Sequence, residues 1–172
     1  MFADKQMDLE EQYDKIYRYC YFKVHNREAA EDITQETFLR FFEQYEHYGT
    51  PRTLQYLYKI AHNLCVDEYR KEARRSKREV YMEAAADPPE GMQPGFLCGA
   101  GEDGLLTKMV IRDALSALPE EDREILLLRY VNEVPVSTIC HLLQISRFAL
   151  YRRMKKALQV LQTSLGIVSS DL

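Results

Sequence analysis

A chain of 172 residues with 46% hydrophobic and 29% charged side chains carries enough apolar material for packed cores, which excludes global disorder. No apolar run approaches the roughly 18 to 20 residues that cross a bilayer, and residues 1–10 lack the basic start and apolar stretch of a signal peptide, so a cytoplasmic protein without membrane insertion is expected. The net charge of −4 argues against a nucleic-acid partner only until the charges are placed along the chain.

Residues 9–24 carry Leu9, Tyr13, Ile16, Tyr17 and Cys20 at spacings of three and four, which predicts a helix with one apolar stripe. A second helix is predicted over 28–45, striped by Ile33, Phe38, Phe41 and Phe42. Glu28, Glu31 and Asp32 crowd its first turn, where carboxylates favour the positive end of the helix dipole. His47 to Pro51 reads as a turn. A third helix follows over 52–75, apolar at Leu54, Leu57, Ile60, Ala61, Leu64 and Cys65 and increasingly basic toward its end. Beyond residue 83 the composition shifts to Pro88, Pro89, Pro94, glycines and acids, a mixture that breaks helices and favours a flexible linker. Helical spacing resumes at Leu105, with Leu106, Met109, Val110, Leu115 and Leu118 as the inward face. Pro119 then opens a helix over 120–131 that presents Ile125, Leu126, Leu128 and Arg129. The expected architecture is all-α: two small helical domains, residues 7–78 and 105–165, joined by an acidic linker over 79–104.

Charge is segregated along this plan. Residues 52–78 hold eight Lys/Arg against three Asp/Glu, residues 79–103 hold six acids and no base, and five of the ten residues from Arg147 to Lys156 are basic. Two cationic patches flanking an acidic spacer suit a protein that grips a polyanion at two places. Cys20, Cys65, Cys98 and Cys140 are scattered, with no paired spacing and no histidine cluster, so neither a metal site nor any cofactor is expected. Cys20, Cys65 and Cys140 sit in apolar helical patterns and read as small core residues.

The sharpest local pattern lies between Val136 and Leu161. A short helix over 137–143 packs Ile139, Leu142 and Leu143, a turn follows at Gln144, Ile145 and Ser146, and Ser146 can cap the next helix. In that helix Leu150, Met154, Ala157, Leu158 and Leu161 recur at helical spacing and must face inward. Arg147, Phe148, Tyr151, Arg152, Lys155 and Lys156 are left to project outward, which is what a recognition helix in a major groove requires. A basic stripe alone more often solvates a helix face. The capped three-residue turn and the preceding short helix favour DNA binding here.

In the first domain Asn63, Asp67, Arg70, Arg74 and Arg75 follow a segment rich in tyrosine, with Tyr56, Tyr58 and Tyr69. Aromatics beside cations can stack on unpaired bases while holding phosphates, although Tyr56 and Tyr58 at this spacing are equally readable as core.

Taken in order, these motifs resemble those of the extracytoplasmic-function sigma factors across nearly the whole chain. Ala30 to Phe38 resembles the family's region 2.2, which in relatives docks on the clamp helices of the polymerase β′ subunit; Asp32, Gln35 and Glu36 are the residues this resemblance assigns to polymerase binding. Leu57 to Asn63, continuing to Asp67 and Arg70, resembles regions 2.3 and 2.4, which melt and read the −10 element; Tyr48, Asn63, Asp67, Arg70, Arg74 and Arg75 are the expected −10 residues. Leu118 to Tyr130 with the helix-turn-helix resembles region 4, which reads the −35 element and touches the β flap. Tyr56 stands where relatives often have Trp, Gln144 where a turn glycine is common, and Ala149-Leu150 where Thr-Val is usual. The resemblance implies a non-enzymatic protein whose partners are core RNA polymerase and promoter DNA, with an anti-sigma factor as a further candidate. A dimeric helix-turn-helix regulator would leave Glu31 to Phe38 unexplained, and an interaction protein with an acidic partner would fail to shift random duplex in a gel.

Overall fold

The structure, a computed structural model, describes residues 8–45, 53–79 and 104–166. The predicted turn from His47 to Pro51, including Tyr48, lies outside them, as do Cys98 and nearly all of the predicted linker. The described residues form α1 (Leu9–Val24), α2 (Arg27–Tyr45), α3 (Thr53–Glu79), α4 (Gly104–Ser116), α5 (Glu120–Leu126) with a π-wound turn after it (Leu127–Val131), α6 (Val136–Leu143) and α7 (Arg147–Ser164), and no strand. The chain is all-α and divides into two compact units, Met1–Met92 and Gln93–Leu172.

In the first unit α1, α2 and α3 pack on one another. The Asp8 carboxylate starts α1 by accepting from the backbone N–H groups of Glu10 and Glu11, at 3.0 and 3.3 Å. His25 ends it in a left-handed conformation, φ 53°, and the Asn26 side chain then accepts from the N–H of Ala29 at 3.0 Å, so one tight corner closes α1 and opens α2. The core is Ile16, Tyr19 and Cys20 from α1, Ala30, Ile33, Phe38 and Phe41 from α2, and Leu57, Tyr58, Ile60, Ala61 and Cys65 from α3. Thr34 and Thr37 are buried among them, and each hydroxyl donates to a carbonyl one turn back, Ala30 and Ile33, at 2.6 Å. Where α1 meets α2, burial first and then the Glu31 carboxylate push the Tyr17 phenol above its usual range, while the Glu31 hydrogen bond at 3.0 Å raises Arg27.

Two of the predicted stripes are corrected here, those of α1 and α2. Leu9 and Tyr13 are exposed, and Tyr19 is fully buried in their place, where α1 packs on α3. Its ring meets Tyr58 edge-on at 5.7 Å, and its hydroxyl lies 2.9 Å from His62 Nδ1. Phe42, expected in the core, is 49% exposed. Of the two readings of Tyr58, base stacking and core, its full burial supports core.

In the second unit α7 packs against α4, α5 and α6. Leu118, Leu126 and Ala157 form one core cluster, flanked by Leu115, Leu158, Val160 and Leu161. Pro119 and Pro135 precede α5 and α6, where a fixed φ and a missing N–H cost nothing. A π-wound turn follows α5, closed by the Asn132 N–H on the Leu127 carbonyl at 2.9 Å, and Ile125, Leu126, Leu127 and Leu128 are all buried. Met109 and Val110, expected to face inward, are about half exposed; Ala114 and Leu118 are the buried positions of that segment. The side chain of Leu106 lies outside the described set. Cys20 and Cys65 are buried and Cys140 is half-buried, so the core expectation holds for two of these three.

Because Tyr58 is core, Tyr58→Ala should cost about 3 to 5 kcal/mol of first-unit stability, as for other large aromatic truncations. Urea unfolding followed by circular dichroism checks this.

Candidate nucleic-acid interface

The described residues carry no His, Cys, Asp and Glu cluster that could hold a metal. What they offer is helix faces. A helix buries one side and presents the other, so each candidate face follows from the side chains opposite it.

α6 ends at Gln144, which takes the left-handed conformation at φ 54° and donates its N–H to the Cys140 carbonyl. Gln144 thus stands where glycine is the strain-free choice. Ser146 then starts α7, its hydroxyl accepting from the Ala149 N–H at 3.1 Å. Leu150, Met154 and Ala157 are buried, and Arg153 is drawn to one side by Glu121 of α5 at 2.8 Å. The rotation of α7 is thereby fixed, and Arg147, Phe148, Tyr151, Arg152, Lys155 and Lys156 are all exposed. At about 100° per residue, Phe148, Arg152, Lys155 and Gln159 form one row opposite the buried stripe, with Tyr151 and Lys156 on its two flanks. Gln159 was not among the expected residues, although its i+4 relation to Lys155 places it in the row.

The last buried residue of α3 is Cys65, and from Tyr69 to Arg78 every side chain is exposed. Asn63, Asp67, Arg70 and Arg74 lie along one face at spacings of four, three and four. Arg75 is turned about 100° from Arg74, beside Glu72 at 3.5 Å, so it does not share that row. Lys71, Lys77 and Arg78 extend the cationic surface and were not singled out from sequence; their placement past the last core residue is the signal that marks them. Asp67 approaches Arg70 only to 3.9 Å, with both side chains mostly exposed, so this pair restrains the row weakly.

On α2, Asp32 and Gln35 are exposed and Glu36 is half-buried, held to Arg40 at 2.6 Å. These three share a face with Leu39, which is 60% exposed and which the sequence reading left unassigned. Its position four after Gln35 and three after Glu36 was the available clue.

Two units of helices presenting cationic faces, one of them a capped helix-turn-helix, define a helical DNA-binding protein. The description Sigma-70 region 2 matches residues 9–75 and the description Sigma-70, region 4 matches residues 108–161. The chain belongs to the sigma-70 family of RNA polymerase sigma factors, and as such it directs transcription initiation by recognising promoter elements. Its relatives named below are sigma factors of the extracytoplasmic-function (ECF) kind. It is 29% identical to the ECF RNA polymerase sigma factor SigW of Bacillus subtilis over 160 residues, which cover 88% of this chain and 83% of that one. It is 28% identical to SigM of the same organism over 131 residues, 76% of each chain. The structure of the sigma factor RpoE in complex with the anti-sigma factor NepR from Bartonella quintana matches 97% of this chain and 99% of that one, with a TM-score of 0.66. At 17% identity that likeness concerns the fold. No helix among the described residues is long and apolar enough to cross a membrane.

The turn that sets α7 yields two opposite expectations. Ser146→Ala should cost about 1 kcal/mol through the lost cap, whereas Gln144→Gly should stabilise by up to about 1 kcal/mol by relieving the left-handed strain. Hydrogen exchange at the first turn of α7 and denaturant midpoints measure both.

Proposed function

We propose that the three faces divide the work of promoter recognition: α7 reads the −35 element, the row on α3 together with Tyr48 engages the −10 element, and the α2 face docks on polymerase. The observation that carries this reading is the outward row of α7, in which long donors stand opposite a buried apolar stripe at the N-terminal end of a capped helix. Phosphate contacts by Lys156 and the α3 arginines set register, while Arg152, at the centre of the row, is suited to bidentate contact with a guanine. Asn63 and Asp67 have the donors and acceptors to meet unpaired bases, and Arg70, Arg74 and Arg75 the charge to hold their phosphates.

Asp32, Gln35 and Glu36 surround Leu39, so the α2 face combines an acidic rim with an apolar centre, a pattern suited to a partner helix pair bearing basic residues. The clamp helices of the β′ subunit are the partner we assign to it, and the β flap the partner of the second unit. An anti-sigma factor, as RpoE of Bartonella quintana has in its crystal, is a further candidate partner, for which exposed Met109 and Val110 offer apolar surface. In this reading the chain works in the cytoplasm without cofactor or catalysis of its own, and polymerase supplies the chemistry.

Transcription in vitro with purified core polymerase on a genomic template library tests the whole reading: discrete start sites that depend on this chain are expected, and none would sink it. Charge reversal at Asp32 and Glu36 should weaken core binding in a titration while the first unit stays folded. Arg152→Ala should cost about 1 to 3 kcal/mol at one −35 position and relax preference there. Lys156→Ala should weaken all sequences alike and reduce the salt slope by about one. Permanganate footprinting of the open complex addresses the −10 face, where Tyr48→Ala with Asn63→Ala should impair opening.

A further inference from the structure

Phe148 is 77% exposed, more than any other large apolar side chain among the described residues. It is the second residue of α7, inside the turn that the Ser146 cap holds in place. Arg152 follows it by four residues and Lys155 by seven, so the phenyl ring heads the outward row rather than lying on its edge. The N-terminal residues of a recognition helix are those that approach base edges most closely.

A phenyl ring donates and accepts no hydrogen bond, so it can neither hold a phosphate nor read the polar edge of a base. The apolar feature that a base pair displays in the major groove is the C5-methyl group of thymine. We propose that Phe148 is a specificity-determining residue that reads a thymine methyl in the −35 element, beside the base met by Arg152. The separation follows from helix geometry: four residues rise about 6 Å along α7, and DNA about 3.4 Å per base pair, so the two bases lie within about two steps of each other. Tyr151 stands on the flank, and its hydroxyl suits it to a phosphate or a polar base edge instead. The inference rests on α7 being the −35 reader and adds the base type that its apolar residue selects.

The test removes the methyl and nothing else. Holoenzyme assembled from core polymerase and the full chain selects duplexes from a library randomised at −35, and the selected promoter is remade with deoxyuridine at each −35 thymine in turn. At one thymine, deoxyuridine should lower wild-type affinity about four-fold, the effect of burying one methyl-sized group. Phe148→Ala holoenzyme should bind the thymine and deoxyuridine forms equally, with core affinity and the preference at the Arg152 position unchanged. Phe148→Leu, which keeps an apolar contact, should retain part of the discrimination. The inference is overturned if no thymine shows a methyl effect, if the effect survives Phe148→Ala, or if Tyr151→Ala and not Phe148→Ala abolishes it. A selection that yields no −35 preference in the wild type would instead remove the −35 assignment of α7, and this inference with it.

Discussion

Leu150, Met154 and Ala157 are the contacts on which the outward face of α7 depends, because burying them leaves the helix one rotation about its axis. A helix turned by a single residue would move its side chains through about 100° and point Leu150 at solvent. The Ser146 cap sets where α7 begins, and Glu121 draws Arg153 aside. With start and rotation both fixed, the order Phe148, Arg152, Lys155, Gln159 down the outward face follows. The apolar core is therefore also the device that sets which side chains of α7 face outward.

The first unit applies the same constraint differently. α3 is packed through Leu57, Ile60, Ala61 and Cys65 and then runs on to Glu79, with no buried residue among the described side chains from Val66 to Arg78. Its packed half can hold Asn63 in a defined place, whereas its distal half is rich in cations that, among the described residues, make loose pairs at 3.5 to 3.9 Å. Such pairs contribute little at the surface, so the distal half is suited to following a phosphate backbone and the packed half to reading bases. Each unit has a small core, and binding to a partner adds stability in proportion to its preference for the folded form.

Departures from the family pattern acquire physical meaning in the structure. Gln144 occupies a left-handed position that glycine would fill without strain, yet the N–H to Cys140 closure of α6 is made. Ala149-Leu150 in place of Thr-Val leaves the packing intact, since Leu150 is fully buried and the cap is supplied by Ser146. Tyr56, where relatives often carry Trp, is half-buried, bonded to Gln44 through its hydroxyl and tilted against Phe41 with ring centroids 6.4 Å apart. It acts as packing at the junction of α2 and α3.

The helices, the helix-turn-helix and the outward residues of α7 were legible in the sequence because each depends on local rules: periodicity of 3.6, a serine before a helix, and proline or glycine between segments. Charge segregation was legible for the same reason. Tertiary structure decided which members of each apolar set are buried. Periodicity offers a stripe wider than any neighbour covers, and only the mutual packing of the three helices selected Tyr19 over Leu9 and Tyr13, enclosed Tyr58, and left Phe42 and Leu39 outside. The same holds for Met109 and Val110, half exposed on a helix whose sequence alone reads as core. The π-wound turn after α5 was invisible as well, since i to i+5 bonding there is set by how Leu127 and Leu128 are drawn into the core and not by any residue's own preference.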